Sequence, residues 1–330
     1  MLVICKLYKK QIEDAKYRKE RKLLIVIQSK QVQILLSTYN GEKYLEELIV
    51  SLLDQDYTNF SILIRDDGST DRTLEILKKY EKHDNISIIY GENIGVIKSF
   101  FELLKKSDSE AEYIAFCDQD DIWERNKVLS AVNMLTEFKN DIPLMYCSRL
   151  KIVNESLKLL EYSSIPKKGA KFQNSLVENI ATGCTVIINK RTREQILKTL
   201  PQNIIMHDWW IYQVVSGIGK VIYDNESHIL YRQHSTNVVG SEVNIFKKWK
   251  NRIIRFYKNG NKNLIRGQAI ELKRIFGNDL SYENQQLLDS FINKPMRFLR
   301  RLRYAFSTKL YRQKKIDDLI FRILIAINKI

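Results

Sequence analysis

From Val32 to Cys117 the chain alternates short, continuously apolar runs with longer stretches of helical spacing. The apolar runs fall at 32–36, 60–65, 86–90 and 113–117, and helical patterning fills 41–54, 70–82 and 95–106 between them. A strand wetted on one face alternates apolar and polar residues, whereas a run apolar throughout is covered on both faces. The pattern therefore predicts an α/β fold: a mainly parallel sheet flanked by helices, with ligands gathered at the carboxyl ends of the strands. Further on, the spacing predicts a helix over 127–139, apolar runs at 144–147 and 185–188, and helices over 191–199 and 208–216. Residues 219–231 read as a hairpin turning at Asp224-Asn225, and from Phe246 onward the pattern is helical.

Polar clusters sit at the ends of these runs. Ser37-Thr38-Tyr39-Asn40-Gly41 follows the first, Asp66-Asp67-Gly68-Ser69-Thr70-Asp71 the second, Asn93-Ile94-Gly95 the third and Asp118-Gln119-Asp120-Asp121 the fourth. A parallel sheet brings all four to one edge, so carboxylates gather there.

Charge divides the chain. From Ile245 to the end there are 21 Lys and Arg against 6 Asp and Glu, a net of +15, which is the net charge of the whole protein. The first 244 residues are neutral. We therefore expect an extension over 1–30 without an assigned role, a catalytic domain over 31–244 and a basic helical tail over 245–330 that meets an anionic partner. Within the tail, Phe298, Leu302, Ala305 and Phe306 follow helical spacing among Arg297, Arg300, Arg301 and Arg303. Such a helix rests on anionic lipid, or it packs on the domain or on a second subunit of a homodimer. No apolar run approaches the roughly 20 residues of a membrane span. Cys5, Cys117, Cys147 and Cys184 lie too far apart for a CxxC zinc site, and the first residues lack the charge-then-apolar order of a signal peptide. Reduced thiols and a cytoplasmic protein, peripheral to the inner face of the membrane, are the expectation.

The clusters suggest specific chemistry. In an extended chain Asp118 and Asp120 share one side while Asp121 points elsewhere, and two such carboxylates suit a hard cation, Mn²⁺ or Mg²⁺, completed by diphosphate oxygens. The same residues also suit an acidic capping turn. Asp66 and Asp67 exceed what a helix cap requires, and a carboxylate there accepts the imide N–H of uracil or thymine; Tyr39 offers a ring for stacking or simple packing. His207-Asp208-Trp209-Trp210 sets a carboxylate among aromatics, which suits a general base with a raised pKa or a plain N-cap. His234 suits a third metal ligand or a structural role, and Arg232 a diphosphate contact.

Together these segments, over about Val32 to Gly240, resemble family 2 glycosyltransferases of the GT-A fold. Leu35 to Gly41, Phe116 to Trp123 and Met206 to Trp210 look most like bacterial rhamnosyltransferases of cell-surface polysaccharide assembly, such as capsule synthesis. The resemblance implies that Thr38, Tyr39, Asn40, Asp66 and Asp67 hold the nucleotide and that Asp118 and Asp120 take the ribose and the metal-bound diphosphate. It further implies Asp208 as base and His234 as a metal ligand. The implied donor is dTDP-L-rhamnose, or a UDP-hexose in an enzyme of the same fold, and the implied acceptor is a lipid-linked saccharide. The QxxRW segment of processive synthases is missing, which implies one sugar per encounter. A nucleotidyltransferase needs a glycine-rich loop that Ser37 to Gly41 does not supply, and a nucleic-acid binder would leave the acidic clusters unexplained; nucleic acid is not an expected partner.

Overall fold

Each of the four apolar runs is a strand, and the four lie side by side. In the computed structural model, which describes residues 28–233, 264–293 and 297–329, β1 (Val32–Thr38), β2 (Phe60–Asp66), β3 (Ile86–Tyr90) and β4 (Tyr113–Cys117) form the parallel half of a nine-stranded sheet. Helices α1 (Leu45–Leu53), α2 (Thr73–Lys78) and α3 (Val96–Lys106) make the crossovers. After β4 come the two-residue β5 (Ile122–Trp123), α4 (Lys127–Thr136), β6 (Leu144–Val153), β7 (Leu159–Tyr162), α5 (Phe172–Ser175), β8 (Ile187–Asn189), α6 (Lys190–Lys198), α7 (His207–Ile218) and β9 (Lys220–Arg232). The sheet order is β3-β2-β1-β4-β8-β6-β9-β5, with β7 on β6. Beyond β4 the sheet is mixed: β8 runs antiparallel to β4 and β6, while β9 runs parallel to β6. The architecture is the expected α/β sheet flanked by helices.

Alternate residues of the strands feed two cores. Leu35 of β1 faces the cluster that holds Phe100, Phe116 and Trp210, while Ile34 and Leu36 face the one that holds Leu48, Ile64 and Tyr113. This two-sided burial is what a continuous apolar run requires.

Two readings change. The hairpin expected over 219–231 is one long strand, β9. Its partner in the register steps from Ser148↔Asp224 to Arg149↔Ser227, so Asp224-Asn225 marks a β-bulge rather than a reversal. Turn-forming residues in a strand mark either event, and the parallel partner β6 decides it here. Second, the described tail helices, α8 (Leu264–Phe276), α9 (Tyr282–Ile292), α10 (Phe298–Ser307) and α11 (Lys315–Ala326), share a core with the sheet. Phe276, Leu288, Phe291, Leu310, Phe321 and Ile325 belong to the same cluster as Leu35 and Trp210. The charge boundary near residue 244 is therefore not a boundary of the core. Among the described residues no helix is long and apolar enough to cross a membrane.

Candidate active site

The register of β1 with β2 and β4 sets the clusters beside one another: Thr38 pairs with Asp66, and Leu36 with Cys117. The loops that follow are then cross-tied. Asp67 N–H donates to the Thr38 carbonyl (2.8 Å), Asn40 N–H to Ser69 Oγ (2.9 Å), and Thr70 N–H to Asn40 Oδ1 (2.8 Å). Asn40, expected on the nucleotide, thus spends its amide oxygen joining the first loop to the second. Gln119, which sequence reasoning passed over, ties the first loop to the third. Its Oε1 accepts from Tyr39 N–H (2.8 Å) and its Nε2 donates to the Tyr39 carbonyl (2.9 Å). A Cβ at Gly41 would overlap the Gln119 amide, which gives that glycine its reason.

The paired aspartates after β2 divide their work. The Asp67 carboxylate accepts from Ile94 N–H and Gly95 N–H (2.9 Å each) and from the buried Arg65 guanidinium, so it organises the loop after β3. Asp66 accepts from Ser69 N–H (3.0 Å) and lines a cavity of about 240 Å³ with Gly68, Ser69, Leu74, Lys78, Tyr90 and Gly91. Of the two, Asp66 is the one that lines the cavity. Thr38 is fully buried beside it, with Oγ1 lacking a hydrogen-bond partner, and Tyr39 is exposed above.

After β4 the chain turns at once instead of staying extended. Residues 119 and 120 are a turn, and such a turn brings positions 118 and 121 together. One oxygen each of Asp118 and Asp121 and the Cys184 Sγ lie within 4.8 Å of one another. Asp121, expected to point elsewhere, is wholly buried; it accepts Arg232 N–H (3.0 Å) through Oδ1 and leaves Oδ2 without a partner. Burial, then the charges of Asp120 and Asp208, push the Asp118 carboxyl up to about 7. Burial, then the charges of Asp120 and Asp118, also push Asp121 well above the usual carboxylate range. The Cys184 thiol is held protonated by burial and by both carboxylates. Lys127, a buried cation whose charge acts on Asp118, sits with Nζ 3.4 Å from the centroid of Trp123 and makes no hydrogen bond; burial pulls it down to about 8. No residue pattern marked Lys127 in advance, because it reads as an ordinary helix start.

Crowded carboxylates with an orphaned, buried oxygen are a site short of positive charge. The carboxylates fit a hard divalent cation, but the pair that the turn brings together is Asp118 and Asp121 rather than the expected Asp118 and Asp120, with Asp120 near enough for its charge to raise both; Cys184, a protonated thiol, fits as a hydrogen-bond donor to the carboxylates rather than as a ligand. His234 lies outside the described residues. Arg232, expected on the diphosphate, is instead committed to the protein. Its guanidinium donates to the carbonyls of Asp120 (3.0 Å) and Glu155 (2.6 Å) and to Glu47 Oε2 (2.6 Å), and it stacks on Tyr44. Being long and fully buried, it shapes the acidic turn from below.

Asp208 opens α7 and faces this turn closely enough for its charge to raise Asp118. Burial lifts the Asp208 carboxyl to about 6, against the N–H of Trp209 (2.6 Å), the Asn179 amide and the N–H of Gly183, which favour its charged form. His207 is stacked on Phe100 (centroids 4.1 Å apart), and burial depresses it to about 3, so it is neutral. Trp209 Nε1–H donates to the Ser175 carbonyl (2.7 Å). The tail helps hold the segment before α7: Glu271 accepts from Gln202 N–H and Gln268 from Ile205 N–H, each at 2.7 Å.

The sequence is 28% identical over 311 residues to the dTDP-rhamnosyl transferase RfbG of Shigella flexneri, covering 89% of this chain and 99% of that one. It is 32% identical over 163 residues to the Escherichia coli UDP-Glc:alpha-D-GlcNAc-diphosphoundecaprenol beta-1,3-glucosyltransferase WfgD, covering 49% and 60% of the two chains. In fold it is similar to Staphylococcus aureus TarS residues 1–349 in complex with UDP-GlcNAc, with a TM-score of 0.56 at 19% identity over 91% of this chain and 81% of that one. The model of Glycosyl transferase family 2 matches residues 33–197. That is half of the sequence and contains the three clusters at the ends of β1, β2 and β4, so the chain belongs to glycosyl transferase family 2.

Proposed function

We propose that this glycosyltransferase moves one sugar per encounter, with inversion, from dTDP-L-rhamnose to a lipid-linked saccharide during assembly of a bacterial surface polysaccharide. One observation carries the mechanism: a carboxyl raised to about 6, Asp208, set against an acidic turn at the carboxyl ends of the parallel strands. Near neutral pH Asp208 is ionised yet basic enough to accept a proton, which is what a general base needs.

Asp208 takes the proton of the acceptor hydroxyl as its oxygen bonds to the anomeric carbon. The bond from that carbon to the diphosphate oxygen breaks, and its electron pair leaves with the nucleoside diphosphate. Attack from the face opposite the leaving group inverts the centre, so a β-linked donor gives an α-L-rhamnoside. Asp66 accepts the imide N–H of the base, Tyr39 covers the ring and Thr38 lies beneath. Asp118 and Asp120 hold the ribose and the cation. Mn²⁺ or Mg²⁺, when bound there, supplies positive charge for the departing diphosphate.

The rhamnosyl donor is favoured because the likeness to RfbG runs the length of both chains. A UDP-hexose donor is the second reading, favoured by the higher local identity to WfgD. The test is donor turnover. Purified protein with Mn²⁺ is given dTDP-L-rhamnose or a set of UDP-hexoses, and release of free nucleoside diphosphate is measured with and without EDTA. EDTA-sensitive release from dTDP-L-rhamnose alone is expected. Release from a UDP-sugar alone moves the enzyme to that donor, and release unaffected by EDTA overturns the cation.

A further inference from the structure

The last two described helices leave large apolar side chains in water. On α11 and its C-cap these are Ile316 (67% exposed), Leu319 (52%), Ile323 (45%) and the capping Ile327 (49%). At roughly 100° per residue they span an arc of only about 80°, so they form one stripe. The opposite side of the same helix is already used: Phe321 and Ile325 are buried in the core. A helix apolar on both sides fits a setting in which both sides are covered. On α10 the exposed set is Phe298 (53%), Leu299 (76%), Leu302 (38%) and Phe306 (58%), again within about 100°. Ala305 fills its inner side.

The two helices are fastened to each other. Arg322 of α11 donates to the Ala305 carbonyl (2.7 Å) and to Asp318 Oδ2 (3.1 Å), and Arg301 of α10 donates to the Ala326 carbonyl (3.2 Å). The pair is therefore a fixed element with two exposed apolar stripes rather than a frayed end. Positive charge surrounds them. Residues 297–329 hold ten Lys and Arg against two Asp, a net of +8. Arg303 borders the α10 stripe, Arg300 lies about 100° beyond its edge on the outward side, and Lys314 and Lys315 open α11; all four are exposed.

We propose that α10 and α11 together form an in-plane platform for an anionic lipid bilayer, with the two stripes entering the headgroup boundary and the flanking cations on the lipid phosphates. The charge selects this occupant. Isolated apolar stripes would equally suit a second copy of the chain, but two like surfaces of net +8 repel each other, whereas an anionic leaflet attracts each basic residue near it by about tenfold or less. Neither helix can span, so contact is lateral and reversible. The proposal rests on the transferase reading only for its purpose, which is to bring the active site to a lipid-borne acceptor. Adsorption itself depends on the two helices alone.

The experiment is flotation of the full chain with vesicles of phosphatidylcholine alone or with about one-third phosphatidylglycerol, at low and high salt. Three proteins are compared: wild type, I316Q/L319Q/I323Q and R300Q/R303Q. Wild type should float with the anionic vesicles at least about tenfold better than with neutral ones, and high salt should weaken it. The apolar triple should lose binding at both salts, and the arginine pair should lose it by about tenfold or more at low salt. The arginine variant changes only solvent-exposed groups, so it reports even where the triple fails to fold. Nucleoside diphosphate release from a soluble donor, measured in parallel, should stay within about twofold of wild type; its loss in wild type would count against the transferase reading and leave the platform standing. No flotation, equal flotation with neutral vesicles, or a dimer by light scattering that the apolar triple abolishes would each overturn the proposal, the last in favour of a second copy.

Discussion

The acidic groups after β2 and those after β4 look alike in one dimension and behave oppositely in three. Asp66 and Asp67 are met by donors: Ser69, Ile94 and Gly95 N–H groups and the buried Arg65. Asp118, Asp120 and Asp121 crowd one another, and Asp121 keeps an unpartnered oxygen. Arg65 stands in a strand beside its aspartate, whereas Arg232 reaches the acidic turn through a backbone carbonyl and neutralises Glu47 instead. Where donors fill both oxygens, as at Asp67, a carboxylate is architecture, and Asp66 keeps its place on the cavity. Where the protein withholds them, it leaves a deficit for a ligand to fill, which the proposed function assigns to a cation and the phosphates of a donor.

The largest effect should come from the group that uses the deficit. Asp208→Asn should lower turnover about a thousandfold while leaving nucleotide affinity, measured by calorimetry, nearly intact. Retained turnover would remove Asp208 as the base.

Next come substitutions that should differ in sign between the two clusters. Asp67→Asn strands the buried Arg65 charge and should cost about 3 kcal/mol of stability. Asp120→Asn relieves repulsion and should stabilise the metal-free protein by about 1 kcal/mol. Thermal melts without metal decide this, and destabilisation of comparable size in both variants would erase the distinction.

The pH dependence has two opposite arms. Turnover should rise about tenfold per pH unit below about 6, where Asp208 is still protonated, and level off above. Stability should move the other way. The folded protein holds the Asp208 proton more tightly than the unfolded chain, so that contribution is present below the unfolded value near 4 and is lost as pH rises through about 6, by at most about 1.4 kcal/mol per pH unit. Asp208→Asn should flatten both arms in a pH series of rates and melts.

Gln119→Ala should act least. It removes two hydrogen bonds between partly exposed groups, worth about 1 kcal/mol each at most, and should raise the KM for the donor more than it lowers kcat.

Much of this was legible in the sequence because a buried parallel strand must be apolar throughout and a parallel sheet must present its strand ends together. Runs 86–90 and 113–117 are strands to the residue. The misreadings are those that tertiary context decides. Asp224-Asn225 carries turn chemistry, but the partner strand β6 makes it a bulge. Asp121 was assigned by extended-chain alternation, which does not apply once the chain turns at residues 119 and 120. Arg232 and Cys184 meet the acidic turn from sequence distances no pattern spans, and Lys127, six residues beyond Asp121, reads as an ordinary helix start. The apolar side of α11 was masked by its composition, since the same residue types also supply its buried face.

The division of labour between the clusters can be read directly from Mn²⁺ binding, followed by electron paramagnetic resonance of the full protein with a saturating nucleoside diphosphate. Wild type and Asp66→Asn should bind Mn²⁺ alike once nucleotide is saturating, and Asp120→Asn should lose binding by about tenfold or more. Binding unchanged in Asp120→Asn, or lost in Asp66→Asn instead, would contradict the assignment of the cation to the acidic turn.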